Sequence, residues 1–298
     1  MSATSSYTLG GVTVDGTTFA TQSARMDLGV ESGRVGHSGS ASPTYNAVQE
    51  QNAQFDFSTH DLWTALNAIG FDGKDAAGAE LWLQKLLHAG FRSSGTDHAK
   101  MTVTQGYLIP VTLQAQGAQW ATLECQIWVA STDGNDPLSF STVTLPTPAA
   151  SMDAFVAGGC EINGNEIQVQ QLTVEFGIEV HARRHDGNVW PGLLAGMDCA
   201  PRIRITTDDV RQLSLGTNGI ALTGSGCEVW FRKVNQNGTR VATTVAEHLH
   251  IKAVDGMAMA NETSANQGGE ASYEIVVEPT YDGTNDILQI AQAAMETA

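Results

Sequence analysis

Residues 172–180 read Leu-Thr-Val-Glu-Phe-Gly-Ile-Glu-Val, in which apolar side chains alternate with polar or small ones. A period of two places the apolar side chains on one face of a β-strand and the others on the opposite face. Residues 24–30, which read Ala-Arg-Met-Asp-Leu-Gly-Val, repeat the pattern near the start of the chain. The two stretches predict long strands over Phe19–Gly33 and Ile167–His181, each with one buried face.

Both strands belong to a repeat that spans the chain. Sliding the sequence by 148 positions aligns it with itself without a gap, and beyond about residue 105 the offset becomes 150. Identical pairs recur along this alignment: Gly10/Gly158, Glu31/Glu179, His37/His185, Pro43/Pro191, Trp82/Trp230 and Arg92/Arg240. Solenoid and propeller units run only about 20–50 residues, whereas this period matches an independent domain. We therefore predict a tandem duplication, with domains over residues 1–148 and 149–298.

Turn and capping signals extend the prediction within each repeat. Asp15-Gly16 and Asn163-Gly164 favour a tight hairpin turn, because both dipeptides accept positive φ. After the long strand, residues 32–52 and 180–200 predict an extended loop rich in Gly, Ser, Asn and Pro. A short strand follows, and Thr59 or Thr207 then caps a helix. These helices are predicted over Asp61–Ile69 and Asp209–Leu215.

The remaining patterns are again those of strands. They fit Glu80–Leu87, Met101–Leu113 and Thr122–Ser131, with duplicates at Glu228–Val234, His248–Ala253 and Ser272–Glu278, and Asp286–Met295 predicts an added C-terminal helix. The expected fold class is therefore mainly β (α+β): two duplicated β-sandwich or barrel domains, each with one flanking helix.

Composition argues against several classes of function. The chain has 15 Lys and Arg against 32 Asp and Glu, a net charge of −17, which disfavours wrapping nucleic acid or binding an anionic membrane. No apolar run reaches the ~18–20 residues of a membrane span, and no secretory signal is recognisable. We expect a protein made and kept in a soluble compartment, without a membrane partner. Its four cysteines are expected to be buried or partly buried free thiols: Cys125, Cys160, Cys199 and Cys227.

Candidate catalytic and metal-binding residues are few. His248 and His250 lie two apart on a predicted strand, but the alignment pairs only His185 with another histidine, His37. The acidic residues kept in both repeats could supply a general acid and base, but a shared fold or surface requirement explains them better, because both repeats keep the same sparse set: Asp27/Glu175, Glu31/Glu179, Asp61/Asp209, Glu80/Glu228, Glu124/Glu274 and Asp136/Asp286. Trp82 and Trp230 are expected to be core or interface anchors. We expect no enzyme activity, metal or cofactor.

The layout of each repeat resembles the tail tube (major tail) protein family of long-tailed bacteriophages, in a tandem-duplicated form. The resemblance lies in the N-terminal hairpin, the long strand, the extended loop, and the short strand and helix through Phe55–Ile69 or Ile203–Leu215. The Gly-, Thr-, Ser-, Ala- and Gln-rich texture of the opening Thr8–Gly16 is also similar to that of virion proteins.

This resemblance implies a structural protein of the virion tail, synthesised in the host bacterial cytoplasm. Trimers would form pseudo-hexameric rings whose strands join into one barrel, and genomic DNA would pass through without specific binding during ejection. The partners would be further copies of the chain and other tail proteins. The acidic wall of the lumen would include Asp27, Glu31, Glu175 and Glu179. The long loops would stack rings through His37, Gly39, Pro43 and Tyr45, and through His185, Gly187, Trp190 and Pro191.

Other ring-forming classes remain open at this point. A double-barrel capsid protein also builds pseudo-hexameric trimers from two β domains, but it would have eight strands in each repeat. A ring-shaped DNA clamp would line its hole with basic residues, whereas Arg25, Arg34, Lys85 and Lys233 do not form a duplicated stripe. An enzyme is the remaining alternative.

Overall fold

A computed structural model of the chain describes residues 6–35, 38, 42, 45–86, 95, 97–146, 152–185, 187–208, 219–264 and 272–295. These residues are mostly in β-strands, which confirms the mainly β fold class. The predicted helix Asp209–Leu215 and the predicted domain boundary between residues 148 and 149 lie outside the described residues. No helix in the described part of the chain is long and apolar enough to span a membrane.

Twenty-four strands and one helix are described. The first half of the chain contains β1 (Ser6–Val14), β2 (Thr17–Phe19), β3 (Thr21–Asp27), β4 (Val30–Val35), β5 (Tyr45–Gln51), β6 (Gln54–Thr59), α1 (Leu62–Ile69), β7 (Lys74–Asp75), β8 (Ala79–Leu86), β9 (His98–Val103), β10 (Gly106–Gln116), β11 (Thr122–Val129) and β12 (Leu138–Val143). The second half contains β13 (Ala154–Ile162), β14 (Asn165–Ile167), β15 (Gln171–Glu175), β16 (Ile178–Arg183), β17 (Leu193–Cys199), β18 (Arg202–Thr207), β19 (Ile220–Ala221), β20 (Cys227–Val234), β21 (His248–Ala253), β22 (Asp255–Ser264), β23 (Ser272–Thr280) and β24 (Gln289–Ala293).

These strands form one large sheet and four smaller ones. The central sheet has ten strands in the order β19-β22-β23-β18-β15-β10-β11-β6-β3, with β7 beside β10. Two outer sheets of five strands each have the orders β12-β9-β8-β1-β2 and β14-β13-β20-β21-β24. The first arm is the hairpin β4–β5, and the second arm is the hairpin β16–β17. No sheet closes into a barrel within the described residues.

The core lies between the central sheet and the outer sheets. In β6, Phe55 and Phe57 are buried while Asp56 between them is half-buried, as expected for a strand with one apolar face. Their rings belong to the same hydrophobic cluster as Val12 of β1 and Leu249 of β21, so outer-sheet strands share their core. Each fully buried side chain of this size contributes about 1.5–3 kcal/mol. The architecture is therefore a β-sandwich, one of the two predicted alternatives.

The two halves have the same strand registers. Val12 is opposite Phe19 in the first half, and Cys160 is opposite Ile167 in the second, an offset of 148. An irregularity in β10, at residues 110–112, recurs in β22 at 260–262. We call residues equivalent when they are related by 148 up to β8 and by 150 from β9 onward. This agreement supports the predicted duplication, but it places the change of offset between Leu86 and His98 and not beyond residue 105.

Several local predictions were wrong. The predicted strand Met101–Leu113 is divided between β9 and β10, which belong to different sheets. The predicted cap Thr59 is the last residue of β6, and Asp61 is the residue that precedes α1.

The other errors concern the long strands, the loops and the C-terminal helix. Each long strand is broken, at Gly29 and at Gly177, where φ is positive. The predicted loops 32–52 and 180–200 contain most of the first and second arms. Residues Gln289–Ala293 form β24 and not a helix, because β21 offers them an edge on which they complete the outer sheet.

The central sheet crosses from one half to the other. Strand β10 of the first half pairs with β15 of the second, from Thr112 opposite Glu175 to Gln116 opposite Gln171. The halves therefore share one sheet, although the predicted domain boundary separates them along the chain. We call this pairing the internal joint.

Candidate functional site

One face of the central sheet is polar, because along each strand the side chains that do not enter the core point away from the outer sheets. We call it the open face. Registers bring Arg25 beside Asp56, and Asp56 beside Gln126, across three strands. The charged residues of this face include Arg25, Asp27, Asp56, Glu124, Glu175, Arg202, Arg204, Glu274 and Glu278. Carboxylates outnumber arginines, so the open face is acidic.

Ion pairs neutralise part of this charge. Arg204 Nε lies 2.8 Å from Glu175 Oε1, and Arg204 Nη1 lies 3.5 Å from Glu274 Oε1. The carboxylate of Glu175, followed by that of Glu274, raises the pKa of Arg204 above its usual range. Arg202 pairs with Glu278 at 3.0 Å. The carboxylates neutralised by these ion pairs all lie in the second half of the chain.

The four predicted wall residues occupy two different places. Asp27 and Glu175 are equivalent residues on the open face, but Glu175 pairs with Arg204 while Asp27 lies 3.8 Å from Arg25 and accepts the Gly29 N–H. Glu31 and Glu179 are equivalent, exposed residues on the two arms. The predicted wall therefore includes two residues of the central sheet and two residues of the arms, which lie in different parts of the structure.

The second arm carries the one described group of side chains that could ligate a metal ion. Ligand atoms of Glu179, His181 and Asp198 lie within 4.8 Å of one another. All three residues are exposed, and Glu179 faces Asp198 across the hairpin. The group could weakly attract a cation, as exposed carboxylates commonly do.

The internal joint is closed by backbone hydrogen bonds and by buried aromatic rings. The Phe176 N–H donates to Val111 O at 3.0 Å, and the Ala121 N–H donates to Phe155 O at 2.7 Å. Both Phe176 and Phe155 are fully buried, and the Phe176 ring lies 6.3 Å from that of Phe71. The joint therefore involves the central sheet and, through Phe155 in β13, an outer sheet.

The two ends of the central sheet carry the same edges that meet at the internal joint. Strand β3 is equivalent to β15, and among the described residues it pairs only with β6. Strand β22 at the other end is equivalent to β10, and its last residues pair only with β23. Leu28 and Tyr7, equivalent to the buried Phe176 and Phe155, are 44% and 42% exposed. Apolar side chains exposed beside an unpaired strand edge mark an interaction surface.

The turn of the second arm lies against the first half of the chain. The Gln51 N–H donates to Val189 O at 3.0 Å, and the Ser131 N–H donates to Pro191 O at 2.9 Å. Arg184 Nη1 lies 3.1 Å from Glu50 Oε2, which ties the two arms together.

These contacts also locate the predicted stacking residues. Trp190 and Pro191 are buried within the chain, whereas His185, Gly187 and Tyr45 are exposed. His37, Gly39 and Pro43 lie outside the described residues.

Sequence reasoning missed one pair of equivalent histidines. His98 and His248 are buried, and each accepts at Nδ1 the backbone N–H of a lysine, Lys85 or Lys233, at 3.1 Å. An offset change placed too late in the alignment paired His98 with Ala246. A two-residue gap placed before His98 aligns the two histidines. Their hydrogen bonds to backbone N–H groups indicate a structural role.

The remaining predicted core residues are partly confirmed. Trp82 and Trp230 are buried. The Lys100 ammonium lies 5.1 Å from the centre of the Trp82 ring, and the His250 ring stacks on Trp230 at 4.9 Å. All four cysteines are free thiols, three of them buried, whereas Cys199 is exposed, contrary to the prediction.

Comparisons with protein-family models and with curated proteins give no match for this chain. The internal joint, the two free edges and the open face are therefore the features from which its function has to be inferred.

Proposed function

We propose that this chain is a structural virion protein that assembles head to tail into closed rings, which stack as the tube of a phage tail. The observation that carries the proposal is the equivalence of the edges. The internal joint pairs a β10-type edge with a β15-type edge, and the free ends of the central sheet are the other β10-type edge, β22, and the other β15-type edge, β3. A contact that already exists within the chain can therefore be repeated between chains.

The internal joint also supplies the register of the proposed contact. Thr112 is opposite Glu175, so Glu262 of one copy would be opposite Asp27 of the next, and Ser264 would be opposite Arg25. Such a heterologous contact yields a closed ring when its rotation closes. We propose three chains in each ring, which supply six halves with four long central strands each, apart from the two-residue strands β7 and β19. Closure would remove the free edges and cover Leu28 and Tyr7.

The open face then becomes the inner wall of the ring, since the outer sheets lie on the other side of the central sheet. Its carboxylates favour the passage of DNA, because an anionic wall repels phosphates and offers no site to which DNA would adhere. Asp27, Asp56 and Glu124 are the wall carboxylates proposed for the first half of each chain. The partners would be further copies, other tail proteins and transiently passing DNA.

The alternative classes fit these observations less well. A double-barrel capsid protein is expected to have eight strands in each repeat, whereas twelve strands are described in each half of this chain. A DNA clamp requires a basic inner surface, whereas carboxylates exceed arginines on the described open face. The repeated edges favour a ring, and the acidic face favours a conduit.

Engineered disulfides test the proposed ring contact. In a Cys199→Ser background, Arg25→Cys with Ser264→Cys should cross-link chains under oxidising conditions, because directly opposite residues of paired strands lie within disulfide range. The expected product is a covalent series that ends at the trimer. Gln114→Cys with Thr173→Cys is the matched control, since it joins equivalent positions across the internal joint and should link within one chain.

Negative-stain electron microscopy of the same samples should show rings with a central channel and stacks of rings. A protein that stays monomeric at all concentrations, without links between chains, would contradict the proposal. Closed shells in place of stacked rings would assign the protein to the capsid class.

A further inference from the structure

We infer that the first arm of each copy lies on the second half of its neighbour within the same ring, as a lateral clasp. This inference rests on the proposed ring and identifies a second contact in it. Its occupant is the β4–β5 hairpin of another copy of this chain, and its central contact is Tyr45 against Met257.

The second arm provides the template for this contact. Together with the first half of the chain it encloses a groove of about 400 Å³, to which the arm contributes Leu193 and Leu194 and the first half contributes Gly106, Tyr107 and Ala130. The Ser131 N–H, which donates to Pro191 O, closes one end of this contact. The arm therefore packs across the start of β10 and the loop that follows β11.

The equivalent surface of the second half is uncovered. Ser131 is 1% exposed, whereas its equivalent Tyr281 is 66% exposed. Ala130 is buried, but its equivalent Thr280 is exposed. Met257, equivalent to Tyr107 of the groove, is 43% exposed. An exposed surface of this kind, next to the strand β22 whose later residues form a free edge, is suited to a protein partner.

The first arm has the register of the second arm and exposes apolar side chains that could cover this surface. Its register is the same as that of the second arm, including the irregularity after its second residue pair. Tyr45 is equivalent to Leu193, the arm residue of the groove, and it is 64% exposed. Val35, opposite Tyr45 in the hairpin, is also more than half exposed. No other described segment has this register.

The connection to the sheet decides which copy is reached. The second arm follows β15 through Gly177, and the first arm follows β3 through Gly29, which has a similar positive φ. If β3 pairs with β22 of a neighbour as β15 pairs with β10, the same turn carries the first arm onto that neighbour's second half. The clasp therefore acts around the ring and not between stacked rings.

Paired cysteines joined by a short flexible bismaleimide test the clasp. In the Cys199→Ser background, Tyr45→Cys with Met257→Cys should give covalent chains that end at the trimer. Leu193→Cys with Tyr107→Cys, the equivalent positions around the observed groove, is the control and should link within one chain. Links that continue beyond the trimer, links confined to one chain, or no links would each overturn the clasp.

The Arg25→Cys/Ser264→Cys pair shows whether a negative Tyr45/Met257 result contradicts only the clasp or also the ring. If that pair yields trimers while the Tyr45/Met257 pair does not, the ring stands and the clasp is wrong. If neither pair links chains and no rings are seen, both proposals are wrong.

A measurement on the unaltered protein guards against variants that do not fold. Hydroxyl-radical footprinting should be performed on monomers and on single rings before they stack. Any ring with the proposed edge contact should protect Tyr7, whereas only the clasp should also protect Tyr45 and Tyr281, with at least a fivefold drop in oxidation. Tyr45 and Tyr281 that react equally in both states would overturn the inference.

Discussion

Two glycines determine how the arms leave the central sheet. Gly29 and Gly177 are equivalent and have φ of 50° and 63°. A Cβ atom would lie 2.3 Å from Asn52 O at Gly29, and 2.1 Å from Ala200 O at Gly177. The same two carbonyl-bearing residues donate their N–H groups to the glycine oxygens. Only glycine fits both the backbone conformation and the close approach.

Replacement of Gly177 by alanine should therefore destabilise the fold. We expect Gly177→Ala to lower the free energy of unfolding by about 2–4 kcal/mol, from the left-handed backbone conformation together with the clash. Gly78→Ala is the control, since its φ is also positive but no atom lies within 4 Å of the added carbon, and it should cost only about 1 kcal/mol. Urea unfolding followed by circular dichroism measures both. Equal losses would contradict the close approach as the cause.

The buried histidines give a second expectation at this scale. His248 accepts the Lys233 N–H at Nδ1, and its Nε2 lies 3.0 Å from Ala242 O, a geometry that fits a neutral ring donating from Nε2. His248→Ala would remove both partners, and we expect a loss of roughly 2–4 kcal/mol in unfolding free energy. His181→Ala, at an exposed position, should change it by less than about 0.5 kcal/mol. A similar effect of the two substitutions would refute the structural role.

At the scale of elements, the two arms show why loop-like composition predicted loops at 32–52 and 180–200 where the structure has strands. Strand β5 reads Tyr-Asn-Ala-Val-Gln-Glu-Gln and has no buried residue, because its hairpin is two-stranded and lacks a covered face. A strand without a buried face does not show the period-two pattern by which strands are recognised. The sequence of the last strand, β24, is rich in Ala and Gln and favours a helix, but pairing with β21 decides its structure.

The equivalent positions Leu28 and Phe176 allow a test of the edge at this scale. Leu28→Asp should leave the monomer folded, because the side chain is 44% exposed, but it should abolish rings, since closure would bury the charge. Phe176→Asp places the same charge in the observed internal joint and should destabilise the monomer itself. Sedimentation velocity measures assembly, and circular dichroism measures folding.

The control for Leu28→Asp is Val245→Asp, a substitution at a 37% exposed position in a turn of the second half. It adds the same charge away from the free edges and should leave the rings intact. Normal rings from Leu28→Asp would contradict the edge contact.

At the scale of the whole molecule, the acidic open face predicts how the assembled ring treats DNA. Rings of the unaltered protein should not retain DNA. Asp56→Lys with Glu124→Lys reverses two charges of the open face, and rings of this variant should bind DNA with an affinity that falls steeply with salt. Glu166→Lys with Glu247→Lys makes the same change of charge outside the central sheet and should have a much smaller effect. Fluorescence anisotropy at several salt concentrations measures the binding. Equal retention by both variants would exclude the open face as the wall.

The sequence alone determined the properties that depend on local pattern. Alternating side chains predicted the mainly β fold, and an almost gapless self-alignment predicted two equivalent halves. The first helix was predicted close to its observed bounds, Leu62–Ile69, because its apolar pattern lies within a few residues, although its N-cap is Asp61 and not the predicted Thr59. Burial of Trp82 and Trp230 followed from residue type.

Only the tertiary structure decided which strands meet. The pairing of β10 with β15 joins segments far apart in sequence, and no local pattern specifies a partner for a strand edge. The neutralisation of Glu175 by Arg204 follows from the pairing of β15 with β18. Trp190 is buried where the second arm docks, whereas Tyr281, on the equivalent surface of the second half, is exposed. The sequence shows that two halves are alike, but only their packing shows that one pair of edges is joined and the equivalent pair is free.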